Sequence, residues 1–122
     1  MVISFDSQQP IFQQIADGIE DAILAGAFEE EAQIPSITEL SVNYKINPAT
    51  ALKGINLLVD SGLVYKKRGL GMFVAPGAVE RLKEIRRARF FDSFVRSLIE
   101  EAERLGLSKG ELWEMIERGF EK

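Results

Sequence analysis

The sequence predicts a mainly α-helical fold with a single small β-hairpin. The chain up to Gly62 carries apolar residues at helical spacing, broken by cap and stop residues. Two short β-like runs, "LVYKK" and "MFVA", then flank the turn-forming stretch "RGLG". Beyond Pro76-Gly77 the helical period returns and persists almost to the last residue.

The first helix lies in "SQQPIFQQIADGIEDAILAGAF", where Ile11, Ile15, Ile19 and Ile23 recur four residues apart, joined by Phe12, Ala22 and Leu24. Asp17, Glu20 and Asp21 fall on the opposite face, and Gly26 ends the helix. "EEEAQI" reads as a solvated loop with a short extended piece leading into Pro35. A second, short helix opens at Ser36, with Glu39 three residues on, the spacing of a capping box. Its apolar side is Ile37, Leu40 and Tyr44. Asn47 suits an N-cap and Pro48 the first helical position of a third helix. There Ala51, Ile55, Leu58 and Val59 form the expected buried stripe before Gly62. Helix, short helix, tight turn, helix and hairpin make a winged helix-turn-helix, expected over residues 1–76.

Residues 77–122 are expected to form a helical dimerisation domain. One long helix is predicted from about Val79 to Leu105, and Ser108 with Glu111 opens a last one. Phe90, Phe91, Phe94, Val95, Leu98, Ala102 and Leu105 line the first of these; Leu112, Trp113, Ile116 and Phe120 line the second. So much apolar face exceeds what a two-helix hairpin can bury, and a two-fold homodimer is the economical solution. The aromatic residues are expected in a core or a dimer seam. A seam can still enclose a cleft, so a small-molecule effector is compatible with the sequence without being indicated by it.

Composition narrows the function classes. The 122-residue chain has no cysteine and no histidine. Disulfides and thiolate metal sites are thus excluded, and the usual general base is absent. Its acids are strewn over helix faces and loops, so no enzyme, metal site or cofactor is expected. "EEE" at 29–31 lacks the alternating oxygen ligands of a calcium loop. Neither an export signal nor an apolar run of membrane-spanning length is evident, and the expected location is the cytoplasm, with no membrane partner.

The formal net charge of −4 hides an asymmetry. Residues 1–44 hold acids but no lysine or arginine, whereas Lys45, Lys53, Lys66, Lys67 and Arg68 cluster between 45 and 68. A cationic tip at Lys66, Lys67, Arg68, Gly69 and Gly71 can reach phosphates or a minor groove. The bland alternative is an edge hairpin kept soluble by its lysines. "RLKEIRRAR" at 81–89 either extends this footprint or is a solvated helix face.

The stretches "PIFQQI", "IPSITEL", "INPATALKGINLLVDSGLV" and "RGLGMFV" resemble, in order, the winged-helix domain of GntR-type bacterial transcription regulators. The short helical tail ending "LGLSKGELWEMIE" is similar to that of the compact YtrA subfamily. The resemblance implies a DNA-binding regulator, most simply a repressor, acting as a homodimer on a pseudo-palindromic double-stranded operator, with a transport operon as target. It carries a DNA-facing role onto Asn47, Thr50, Gly69 and Gly71. Thr38 stands where the family commonly has a DNA-contacting arginine, Ala49 where it has asparagine, and Lys53 where it has arginine. Ser36 and Lys45 complete the candidate DNA-binding set. The rival reading is a winged-helix protein-interaction module with weak or no DNA binding.

Overall fold

The computed structural model describes residues 1–121, which form two compact units, Met1–Glu84 and Ile85 onward. In the first unit the order is α1 (Ile11–Leu24), α2 (Ile37–Tyr44), α3 (Pro48–Asp60), β1 (Val64–Lys67) and β2 (Gly71–Val74). Helix α4 (Ala78–Phe90) follows, and its first turns belong to this unit. The compact unit therefore runs past Pro76, the end expected from the sequence, because Ala78 and Leu82 are buried in its core.

That core is aliphatic. Ile15, Ile19 and Ile23 of α1 meet Leu40 of α2, Ala51, Ile55 and Leu58 of α3, and Leu63, Val64 and Val74 of the hairpin. Each of the isoleucine, leucine and valine side chains stabilises the fold by about 1.5–3 kcal/mol through removal from water. The fourth buried position of α3 is Gly54, and Val59, expected in the stripe, is 38% exposed. Gly54 is buried because α1 and α3 touch there. A Cβ at this position would lie 2.8 Å from the Phe12 carbonyl oxygen and 3.1 Å from Ile15 Cβ.

Local signals set the helix ends. Ser36 Oγ accepts from Glu39 N–H and Glu39 Oε1 accepts from Ser36 N–H, both at 3.0 Å. Asn47 Oδ1 accepts from Ala49 N–H at 2.8 Å to cap α3. Lys45 takes the left-handed conformation between them (φ 54°), and Ser41 Oγ donates to the Ile46 carbonyl at 2.6 Å, closing the turn.

The expected loop at 29–34 does more than stay solvated. Glu31 N–H donates to Val74 O, Val74 N–H to Ala32 O and Ile34 N–H to Met72 O, so the segment pairs with β2 and Ile34 is buried. Glu30 accepts from the N–H of Gly77 at 2.7 Å and of Val79 at 3.3 Å, capping the start of α4. A carboxylate is well placed there, where unpaired N–H groups and the helix dipole favour negative charge.

In the second unit, α4 passes into a π-helical turn at Phe91–Val95 and then into α5 (Arg96–Arg104), with α6 at Lys109–Glu121. The uninterrupted helix expected here thus contains one i→i+5 turn, marked by the Arg96 N–H bonding to the Phe91 carbonyl. Ser108 and Glu111 form the expected capping box, and hydrogen bonding from Ser108, its backbone N–H first, holds the Glu111 carboxyl below its usual range. Among the described residues no helix is long and apolar enough to cross a membrane.

Replacing Gly54 by Ala sets two effects against each other. Alanine favours a helix by up to about 1 kcal/mol over glycine. Overpacking against a backbone oxygen, which cannot rotate away, costs about 1–3 kcal/mol. The clash should win, and urea unfolding should show Gly54→Ala to be the less stable protein. Gly110→Ala, whose Cβ would meet nothing nearer than Ser108 Oγ at 4.0 Å, should be neutral or stabilising.

Candidate nucleic-acid interface

The α2–turn–α3 segment and the hairpin tip carry the candidate residues. On α3 the buried positions Ala51, Gly54, Ile55 and Leu58 occupy one side, leaving Ala49, Lys53 and Asn56 as an exposed stripe at positions i, i+4 and i+7. Leu52, beside this stripe, is 44% exposed, and Thr50 is half-buried. Thr38 on α2 and Lys45 in the turn are exposed. Ser36 and Asn47 are committed to capping, with their oxygens already accepting backbone bonds.

Lys53 does not stand free. Its ammonium lies 4.1 Å from the centre of the Phe12 ring, over the first turn of α1. The ring face attracts the cation, so the charge is held on the α1 side of the helix.

In the wing, β1 and β2 pair antiparallel in the register Val64–Val74, Tyr65–Phe73, Lys66–Met72 and Lys67–Gly71. Alternation along β1 separates its lysines. Lys67 shares a face with Tyr65 and packs its ammonium 4.4 Å over the Phe73 ring and 5.8 Å from that of Tyr65. Lys66 faces the other way and is exposed, as is Arg68 in the turn. The three consecutive cations are therefore unequal: one braces the hairpin and two face solvent.

The tip itself is tied down. Gly69 has φ +79°, and Leu70 N–H donates to Lys67 O at 2.9 Å, closing the turn. Gln33 Nε2 reaches from the segment before α2 to donate to Leu70 O, also at 2.9 Å. Its amide occupies the place a Cβ on Gly71 would need, 2.5 Å from that atom, and Gly71 has φ +126°. Sequence reasoning gives Gln33 and Asn56 no role and places Phe12 only on the apolar face of the first helix. Gln33 and Phe12 act through tertiary contacts with residues 37 and 41 positions away, which no local pattern reveals.

The cationic run at 81–89 is partly absorbed by the fold. Arg81 Nη1 lies 3.5 Å from the Ser61 carbonyl at the C-terminal end of α3, where a cation complements the helix dipole. Lys83 pairs with Glu80 at 3.6 Å.

The second unit has little interior of its own. Among its described residues only Ala102 is buried, at the base of an apolar groove between α5 and α6 of about 410 Å³. Val95 and Leu112 are half-buried in the walls of this groove. Phe90, Phe91, Phe94, Leu98, Leu105, Trp113, Ile116 and Phe120 are exposed.

The Bacterial regulatory proteins, gntR family, model matches residues 11–74. Over 92% of this chain and 91% of its own length, an uncharacterized HTH-type transcriptional regulator, YhcF of Bacillus subtilis, is 32% identical. The HTH-type transcriptional repressor YtrA of the same organism is 27% identical over 90% of this chain and 84% of its own. Among solved structures, the DNA-binding domain of AraR in complex with operator ORX1 superimposes with a TM-score of 0.57. It is 29% identical and covers 62% of this chain and 96% of that one. The chain belongs to the GntR family, whose members are transcription regulators and not enzymes.

Gln33→Ala removes the side-chain tie to the wing tip while leaving the backbone pairing of residues 31–34 with β2 intact. Amide hydrogen exchange at Leu70 and Gly71 should quicken, with global stability changed by no more than about 0.5 kcal/mol.

Proposed function

We propose that the protein is a sequence-specific DNA-binding transcription regulator that acts as a homodimeric repressor on a pseudo-palindromic operator. One observation carries this reading. A single compact unit presents a capped helix with an open outer stripe (Ala49, Lys53, Asn56) together with a braced hairpin whose tip exposes Lys66 and Arg68. The N-terminal half of α3 would enter the major groove, and the two free cations would meet backbone phosphates. Thr38 and Lys45 would stand beside the phosphates as lesser contacts. Likeness to an operator-bound domain and to a named repressor supports the same conclusion.

The unit from Ile85 onward supplies dimerisation. Exposed aromatic and aliphatic side chains on both of its helices leave a surface whose burial requires a partner, and a second copy offers the self-complementary one. Two DNA-binding units related by a two-fold axis would then read half-sites about 34 Å apart, or a multiple of that spacing.

Charge reversal at the wing tests the DNA reading. Lys66→Glu with Arg68→Glu should abolish binding to DNA from upstream of the protein's own gene. Any residual binding should show a salt slope shallower by about 0.9 for each phosphate that is no longer neutralised. The pair avoids Lys67, whose replacement would also weaken the packing inside the hairpin. Wild-type affinity in the double variant would overturn the role given to the wing, whereas absence of DNA binding by the unaltered chain would favour a protein-interaction module.

For the dimer, Leu98→Asp places a charge on the exposed apolar face of α5. Sedimentation equilibrium should then report a monomer, where the unaltered chain sediments as a dimer. Equal masses for the two would rule this face out as the seam.

A further inference from the structure

The outer stripe of α3 is poor in groups that read guanine. In a major groove, arginine or lysine pairs with guanine O6 and N7, and asparagine or glutamine with adenine N6 and N7. Apolar groups pack on the C5 methyl of thymine. Neither α2 nor α3 contains an arginine or a glutamine. Asn47 already accepts the Ala49 N–H, and the Lys53 ammonium rests over the Phe12 ring. What the helix offers is the Ala49 methyl, the half-buried Thr50, the Leu52 side chain and the exposed amide of Asn56. Leu52, 44% exposed beside the stripe, lies outside the buried core cluster. It is the chemical complement of a methyl group.

We infer that α3 reads A·T base pairs, packing Ala49 and Leu52 against thymine C5 methyls and pairing Asn56 with adenine. This inference rests on the DNA-binding reading proposed above and specifies which base pairs that site accepts. Lys66 and Arg68 then contribute affinity and orientation, while discrimination falls to small apolar contacts and one amide.

Selection of bound duplexes from a random-sequence pool by the full chain, followed by anisotropy on the enriched duplex, tests it. Each dT is replaced singly by dU, which deletes the C5 methyl and leaves the minor groove unchanged, so wing contacts there are unaffected. Affinity should fall about fourfold for each contacted methyl removed. In Leu52→Ala the penalty should vanish at the position facing residue 52 and persist at the others. Half-sites centred on G·C pairs, or affinity indifferent to dU at every position, would overturn the inference while leaving a DNA-binding protein. A pool that yields no enriched duplex would overturn the DNA-binding reading itself, and this inference with it.

Discussion

The close approach of α1 to α3 at Gly54 is the constraint on which the DNA-binding unit depends. With no Cβ at that position, the backbone of α3 sits against the Phe12 carbonyl and the Ile15 side chain. The contact holds α3 with Ala51, Ile55 and Leu58 inward, and so fixes which residues face out. It also brings Phe12 within reach of Lys53, so one packing decision shapes both the core and the chemistry of the exposed stripe. A bulkier residue would push the helices apart and turn the reading face with them.

The hairpin is tied to this core at its base and braced at its tip. Val64 and Val74 are buried beside α3, the segment before α2 pairs with β2, and Gln33 holds the tip. A free two-stranded hairpin is at best marginally stable in water. Three added supports, from the core, from residues 31–34 and from the rings under Lys67, turn it into a rigid projection. Rigidity matters for binding, because side chains ordered before association lose less entropy when they meet DNA.

What was legible in the sequence was what local chemistry dictates. Caps at Ser36, Asn47 and Ser108, the glycine after α3 and the isoleucine ladder of α1 all lie where spacing puts them, because each depends on neighbours within a turn or two. The fate of charged residues was not legible. Glu30 reads as solvated loop and in fact caps α4 from 47 residues away, and Lys53 and Lys67 read as free cations and in fact lie on aromatic rings. Position in sequence cannot separate Lys66 from Lys67; strand alternation and the register with Phe73 can. Val59 faces out and Gly54 in for a related reason, since a periodic stripe counts apolar residues and overlooks a glycine buried for its smallness.

The second unit shows the same limit at larger scale. A stripe running from Phe91 through Val95 and Leu98 to Ala102 assumes an unbroken 3.6-residue period. The i→i+5 turn at Phe91–Val95 adds roughly one residue to that period and rephases everything before it. Phe90 and Phe94, with ring centres 5.6 Å apart, then form one aromatic pair, while Phe91 lies under the Arg96 guanidinium at 5.3 Å. The guanidinium is itself held by Asp92 at 2.9 Å. These contacts do not bury Phe91, which stays as open as Phe90, 53% against 56% exposed, so the rephased helix keeps all three rings on its surface. Apolar composition announces that such a helix carries an exposed stripe; the turn decides which side chains share a face.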